Sequence, residues 1–359
     1  APLGYVKDPD KKGHLMRKKT TYVFNIILMI VVLIFTFYTL LHGEDLRSIL
    51  KVLRGADKSW LIFAALFAMA YLVLQAVSLK IIVQSAGTPM RLKDGIRYTF
   101  IGFLFNAITP SASGGQPMQV YYMHEDNISI GVSSVALLFW TIIYKIALLL
   151  IEGVVMLFFR GFLHQYLGHY YWLFLVGIVV NLVSIILYSI VVFSRNGVRN
   201  LAHVGTWICH KLRIIRHKKR FMEKLDRSLE LYQEGAVYMR THWEVFFIVL
   251  AVTVLQRLSF FAVTWFVYLA LGQHGVSPWE VIMLQSFVAV CIDILPMPGG
   301  VGINEGFFVT MFKQIMNKKT AMSAMLLSRG VNFYILMIIG AFVTLGTGMM
   351  KVTGQKERE

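Results

Sequence analysis

Hydrophobic positions along the chain form six long runs, each of a length that suits a helix crossing a lipid bilayer. A transmembrane helix needs about 20 predominantly apolar residues. The six runs lie near 22–41, 60–83, 132–158, 170–193, 244–271 and 320–350. This pattern predicts an all-α polytopic membrane protein with about six full transmembrane helices.

Two further hydrophobic stretches stop early, each at a proline. Residues 95–109 end at Pro110, and residues 279–295 end at Pro296. A glycine-rich turn and a second short apolar stretch follow each proline. Irregular backbone at membrane depth is tolerated where it lines a cavity or is buried in protein. Each broken stretch therefore predicts a re-entrant helical hairpin, which enters and leaves the membrane on one side.

The distribution of basic residues agrees with two re-entrant hairpins. With the N-terminus in the cytoplasm, about 24 lysines and arginines fall on the cytoplasmic side and about 8 outside, as the positive-inside rule requires. If the broken stretches crossed fully, the large basic loop would change sides relative to one terminus. We therefore expect a multi-pass protein of the bacterial cytoplasmic membrane with both termini inside.

The turns of the two broken stretches resemble each other. Residues 108–117 read ITPSASGGQP, and residues 294–302 read ILPMPGGVG. In the same topology the first hairpin enters from the cytoplasm and the second from outside. This arrangement predicts an inverted repeat with halves near 95–193 and 279–350, as in many secondary transporters. Chance similarity between two glycine–proline turns is the alternative.

A single transmembrane domain is predicted for residues 21–350, with a polar basic tail at 1–20 and a cytoplasmic tail at 351–359. An appended remnant is one interpretation of the first residues, which carry no weight in the fold. The basic loop at 195–243 contains apolar residues spaced three and four apart, which predicts an amphipathic helix on the inner leaflet. The alternative, which the sequence supports equally, is a loop that sets the membrane topology and packs its apolar stripe on the other helices.

Composition and charge narrow the function classes. The chain is 57% hydrophobic and only 15% charged, where a soluble domain carries about a quarter charged residues. Its net charge of +16 could suit a nucleic-acid-binding protein. Because the chain has long apolar spans, we expect the basic residues instead to set the membrane topology and to contact anionic lipid. Cys209 and Cys291 lie in different segments without a CxxC pair, so neither a disulfide framework nor a zinc site is expected.

Six ionisable residues lie in or beside the apolar segments. They are Lys145, Glu152, Arg257, Asp293, Glu305 and Arg329. Each would cost about 2.5–3.5 kcal/mol at a lipid-exposed helix centre, so each must pair or face a polar cavity. Lys145 and Glu152 share a helix face but lie too far apart along it to bond each other. An internal network, such as Arg329 with Asp293 or Glu305, is one interpretation. As a set, the charges predict a cleft for a zwitterionic or phosphate-bearing ligand.

Residues of the two turns are predicted to complete this site. Glycine lets the backbone approach a ligand closely, and a helix beginning after each turn would offer free N–H groups to a phosphate. Asn304 and Glu305 could equally cap such a helix. The polar candidates are Ser111, Ser113, Gln116 and Asn304. The candidates for close backbone approach or hinging are Pro110, Gly114, Gly115, Pro117, Pro296, Pro298, Gly299, Gly300 and Gly302.

Several catalytic signatures are absent from the sequence. There is no GxxxxGK[ST] motif, so no P-loop ATPase is expected to drive transport. There is no GxSxG elbow, and Ser113 has no evident His or Asp partner. The HEDN sequence at 124–127 lacks metal-ligand spacing. We expect no cofactor, no metal and no catalytic residue.

The sequences TPSASGGQPMQVYYM at 109–123 and LPMPGGVGINEG at 295–306, with a lysine and a glutamate on the span between them, carry a family resemblance. Together they resemble the transmembrane region of bacterial lysylphosphatidylglycerol synthase/flippase proteins (MprF) and their stand-alone membrane relatives. The resemblance covers residues from about 20 to 350. Both glycine motifs occur in order, with the expected spans between them.

The resemblance implies a flippase that moves aminoacylated phospholipid, such as lysyl-phosphatidylglycerol, between leaflets, an activity linked to antimicrobial peptide resistance. Lys145, Arg257 and Arg329 would meet the phosphate. Glu152, Asp293 and Glu305 would meet an amine, and Glu152 or Asp293 could carry protons if movement is coupled to an ion gradient.

The family's cytoplasmic synthase domain, which transfers lysine from lysyl-tRNA, has no room after KVTGQKERE at the C-terminus. The chain is therefore either a stand-alone member or part of a two-domain protein, and lysyltransferase activity is not expected from these residues. An integral membrane enzyme acting on lipid head groups, and a scaffold that binds a synthase or a second copy of the chain, are the alternatives to a flippase.

Overall fold

The computed structural model describes residues 51–109, 113–193, 243–293 and 303–356, and every regular element within them is helical. The helices are α1 Lys58–Ser85, α2 Leu92–Ile108, α3 Gly115–Glu125, α4 Ile130–Phe158, α5 Arg160–Leu167, α6 Tyr171–Phe193, α7 Trp243–Ala270, α8 Pro278–Ile292, α9 Ile303–Phe312, α10 Lys318–Arg329 and α11 Leu336–Lys356. A 3₁₀ turn at Gly168–Tyr170 precedes α6, and a π-helix at Gly330–Ile335 joins α10 to α11.

Five segments of this fold are long and apolar enough to cross a membrane. They are Lys58–Ser85, Ile130–Phe158, Tyr171–Ile190, Trp243–Ala270 and Lys318–Thr347. They match five of the six predicted spans, which confirms the membrane class. The sixth, near 22–41, lies outside the described residues, as does nearly all of the basic loop at 195–243.

Several of these helices begin where a short polar side chain caps them. Ser129 accepts a hydrogen bond from the Val132 amide at the start of α4, at 3.1 Å. Ser277 and Glu280 form a reciprocal capping box at the start of α8. Such caps satisfy backbone donors that have no partner within the helix. The local sequence thus sets the start of these two helices before any tertiary packing is considered.

The long helices α1 and α7 pack along each other at the centre of the fold. Aromatic rings line their contact, with the centroids of Phe67 and Phe266 4.7 Å apart. Helix α2 packs on α1 and α3, and α3 packs on α4. Helix α8 likewise packs on α7 and α9, and α9 packs on α10. Each packing pair in the first series therefore has a counterpart in the second.

The first predicted hairpin is a close pair of helices. The Gly115 amide donates to Asn106 Oδ1 at 2.9 Å, and the Gly114 amide donates to Thr109 Oγ1 at 2.8 Å. A Cβ atom on Gly115 would lie 2.2 Å from Asn106 Oδ1 and 2.5 Å from the Gly102 carbonyl oxygen. Glycine at this position lets the start of α3 touch the backbone of α2.

We expect Gly115→Ala to lower the free energy of unfolding by about 1–3 kcal/mol, because its Cβ must displace backbone as well as a side chain. Gly306→Ala in α9 is the matched control, since a Cβ there meets no atom of the described residues within 4 Å. SDS-induced unfolding of the purified protein measures both variants. Equal stability of the two would contradict the packing seen here.

Candidate functional site

Four of the six membrane charges form two ion pairs. Lys145 pairs with Asp293, and Arg329 pairs with Glu305. The other two, Arg257 and Glu152, lie within electrostatic reach of each other without forming an ion pair. The predicted internal pairing of Arg329 with Asp293 or Glu305 therefore holds for Glu305.

The first ion pair connects α4 to the end of α8. Lys145 Nζ lies 2.8 Å from Asp293 Oδ2, and it also donates to Asn181 Oδ1 of α6 at 2.8 Å. The Lys145 side chain is 12% exposed and that of Asp293 is 28% exposed. Asp293 is the residue immediately before the second glycine turn. The pair therefore joins a long span of the first half to the tip of the second broken stretch.

Asn181 was not among the predicted site residues. Its Nδ2 donates to the Gly177 carbonyl at 3.0 Å, which leaves its carbonyl oxygen directed at Lys145. Gly177 itself allows α6 to approach α8, because a Cβ there would lie 2.7 Å from Val290. A lone asparagine in the otherwise apolar run 170–193 was the signal that could have identified it.

Arg257 lies on aromatic faces rather than against a carboxylate. Its guanidinium is 4.2 Å from the centroid of the Tyr144 ring and 5.1 Å from that of Phe261. One guanidinium nitrogen donates to the Tyr144 hydroxyl. Its Nε is buried and has no hydrogen-bond partner in the part of the chain that the structure describes. Cation–π contacts of this kind hold a cation in place and leave hydrogen-bonding capacity for an anion.

Glu152 is fully buried on α4, and neither of its carboxyl oxygens has a hydrogen-bond partner within the described ranges. Arg257 of α7 and Ser286 of α8 lie close to it. The Ser286 hydroxyl donates to the Met283 carbonyl at 2.8 Å. Buried polar groups in native proteins are nearly always bonded, so a carboxyl group without a partner points to a function.

The second ion pair lies between α9 and the end of α10. Arg329 Nε is 2.7 Å from Glu305 Oε1, and the two side chains are 10% and 1% exposed. The Arg329 guanidinium is also 4.6 Å from the centroid of the Phe333 ring in the π-helix. Short π-helical segments within α-helices occur frequently at functional sites.

A small cavity of ≈ 30 Å³ adjoins the second ion pair, large enough for one or two water molecules. Asn304 is one of its lining residues, together with both members of the pair. Ser328 also lines it, and the Ser328 hydroxyl is buried without a partner among the described residues. The remaining lining residues are Phe260, Gln285, Phe308, Met325 and Asn332.

Two aromatic residues, Tyr71 and Phe260, are each near one of the two ion pairs. Tyr71 of α1 lies within electrostatic reach of Arg257 and Asp293. Its ring is 5.0 Å from the ring of Phe260. Phe260 in turn lines the cavity beside Arg329. Tyr71, near the first ion pair, and Phe260, at the cavity beside the second, are therefore in ring contact with each other.

Of the predicted turn residues, Gln116 donates through Nε2 to Thr141 Oγ1 of α4 at 2.7 Å. Ser113 and Pro117 are exposed. The amides of Gly114 and Gly115 are bonded within the protein, so their close approach is to α2. The predicted residues that lie outside the described ranges are Pro110, Ser111, Pro296, Pro298, Gly299, Gly300 and Gly302. No group of three His, Cys, Asp or Glu side chains in the described ranges could hold a metal ion.

The family described as "Lysylphosphatidylglycerol synthase TM region" matches residues 24–340. A curated relative, a UPF0104 membrane protein of Pyrococcus horikoshii, is 25% identical over 332 residues. That alignment covers 89% of this chain and 96% of the relative. The family match spans the first four described transmembrane segments, most of the fifth, and all six membrane charges.

Proposed function

Because the chain belongs to the family of the lysylphosphatidylglycerol synthase transmembrane region, we propose that it moves a phospholipid with a charged head group between membrane leaflets. Lysyl-phosphatidylglycerol or a related aminoacylated lipid is the proposed substrate. The protein acts as a transporter and not as an enzyme, in a cytoplasmic membrane with both termini inside. Its head-group path is the polar region between the two broken helix pairs, with the acyl tails in the bilayer.

The observation that carries this proposal is the partly exposed pair of Lys145 and Asp293. A head group with both a phosphate and an amine can replace such a pair, since its phosphate suits Lys145 and its amine suits Asp293. Exchange of this kind leaves neither protein charge unpaired, which avoids the large cost of an isolated buried ion. A plain cation or an apolar solute offers no such exchange.

The packing pattern supports an inverted repeat. The series α1–α4 and the series α7–α10 share the same order of packing partners. Two similar series of opposite orientation would place two re-entrant hairpins on opposite membrane faces. In transporters of this design, the substrate site lies between the repeats near the bilayer midplane.

Arg257 is proposed to bind the phosphate, because its Nε has no partner among the described residues and its guanidinium rests on aromatic rings. We expect Arg257→Gln to slow lipid movement about tenfold or more, since a hydrogen bond to a charged group contributes about 1.5–3 kcal/mol. Proteoliposomes containing labelled lysyl-phosphatidylglycerol, with a membrane-impermeant amine reagent outside, measure the rate. Arg54→Gln, at an exposed position, is the control.

The same assay separates the alternative functions. Lipid movement in protein-containing vesicles above the rate in empty vesicles supports the flippase. Covalent change of the lipid by the pure protein would favour an enzyme that acts on lipid head groups. Absence of both, with tight retention of a partner protein, would favour a scaffold for a lipid synthase.

A further inference from the structure

Glu152 differs from the other five membrane charges. Its side chain is fully buried, yet it has no ion pair, and neither oxygen is hydrogen-bonded within the described helices. Apolar surroundings suit the neutral form of a carboxyl group, and a nearby cation supports the ionised form. Both conditions are met, because Glu152 is enclosed in the core and Arg257 lies within electrostatic reach.

We propose that Glu152 is a proton-binding site that couples lipid movement to the movement of a proton. The inference rests on the proposed lipid transport, and it identifies the proton gradient as the force that drives that transport. The proton comes from water on one side of the membrane and forms an O–H bond with a carboxyl oxygen of Glu152. It is then released to water on the other side, so no group is oxidised and no reagent is consumed.

Arg257 supplies the coupling between the lipid and the proton. A lipid phosphate bound at Arg257 and an ionised Glu152 would be two anions competing for one guanidinium. Protonation of Glu152 therefore promotes phosphate binding, and phosphate binding promotes protonation to the same degree, as linkage requires. Lipid and proton thus bind together and leave together.

Asp293 is less suited to this role, because Lys145 already binds its carboxylate and it is partly exposed. Among the helices packed on α4, α7 brings Arg257 and α8 brings the Cys291 thiol into electrostatic reach of Glu152. Helix α1 brings Tyr71 to Arg257. The remaining titratable or charged groups on the packed helices are Tyr171 and Tyr188 of α6, Arg160, His164 and Tyr166 of α5, Tyr121, Tyr122, His124 and Glu125 of α3, Lys58 and Lys80 of α1, Glu244 and Tyr268 of α7, and Glu280 of α8.

A pH gradient across proteoliposomes tests the coupling with labelled lysyl-phosphatidylglycerol as the probe. A gradient of about one unit stores about 1.4 kcal/mol per proton. With one proton moved per lipid, the wild-type protein should therefore accumulate about ten times more labelled lipid in one leaflet than in the other. Glu152→Gln, which cannot ionise, should move lipid without responding to the gradient. Glu244→Gln, the same change at an exposed position of α7, should behave as the wild type.

Infrared difference spectra between acidic and alkaline buffer give a second readout that does not require transport. We expect the carbonyl band of a protonated carboxylic acid in apolar surroundings, which lies at a higher frequency than the bands of solvated carboxylic acids, to change with pH in the wild type and in Glu244→Gln, and to be lost in Glu152→Gln. Persistence of that band in Glu152→Gln would overturn the assignment of the proton to this residue. It would do so even if the variant were less stable, because the spectrum reports the group directly.

The outcomes distinguish the two proposals. Lipid movement that ignores the pH gradient in the wild type would overturn proton coupling and leave lipid transport intact. Accumulation by Glu152→Gln equal to that of the wild type would also overturn it. Absence of any lipid movement would overturn the transport proposal itself, and the coupling with it.

Discussion

Replacing Arg329 with methionine is expected to lower the free energy of unfolding by about 3–5 kcal/mol, because Glu305 is then left buried without its cation. Glu305 is 1% exposed and its contact with Arg329 is 2.7 Å long. SDS-induced unfolding of the purified variant measures the loss. Lys319→Met, at an exposed position of the same helix, should change stability by less than about 0.5 kcal/mol.

A double variant separates stability from recognition at this pair. Arg329→Met combined with Glu305→Leu removes both charges and should recover most of the lost stability, since apolar residues of similar volume often replace a buried pair without cost. If the pair takes part in head-group binding, the double variant should still fail to move lipid. A stable double variant that transports normally would show that Arg329 and Glu305 have a structural role alone.

Reversing the charge of Lys145 is expected to have the largest effect on transport, a slowing of about a hundredfold or more. Lys145→Glu places a carboxylate opposite Asp293 and opposite any bound phosphate, and the lost charged hydrogen bond alone contributes about 1.5–3 kcal/mol. The vesicle assay with labelled lysyl-phosphatidylglycerol measures the rate. Lys58→Glu, at an exposed position at the start of α1, is the matched control.

A variant with the two charges exchanged separates the role of this pair in transport from its role in folding. Lys145→Glu with Asp293→Lys restores an ion pair and should restore the folded protein, as judged by unfolding. Because the polarity of the site is reversed, the swap should not restore lipid movement. Full transport by the swapped protein would mean that this pair only fastens α4 to α8.

The transmembrane helices could be predicted from sequence because the bilayer requires apolar length, and this requirement is local. The predicted span 132–158 corresponds to α4 at Ile130–Phe158, and the predicted span 60–83 corresponds to α1 at Lys58–Ser85. The π-helix at Gly330–Ile335 was not predicted, because a one-residue change of helical register leaves no mark on the hydrophobic pattern. The re-entrant hairpins and the inverted repeat remain predictions.

Some of the residues in the candidate site could be predicted from the sequence. The need for every membrane charge to find a partner follows from desolvation, and it correctly predicted that Glu305 could pair with Arg329. The pairing of Lys145 with Asp293 could not be predicted, since it joins residues 148 positions apart and depends on how α4 and α8 cross. Tyr144 was missed because an aromatic side chain in an apolar run is indistinguishable by pattern from a buried packing residue. Asn181 was missed although it interrupts an apolar run, because the sequence does not show which charge its amide would face.

Both site arginines rest on aromatic rings, Arg257 on Tyr144 and Arg329 on Phe333. An arginine held this way keeps one attractive contact, worth about 0.5–2 kcal/mol, when its anionic partner leaves. A guanidinium held on a ring needs no large movement to bind a new partner. In the proposed transport cycle, we expect the aromatic rings to serve as resting positions for the cations, which would lower the barrier to exchanging one anion for another.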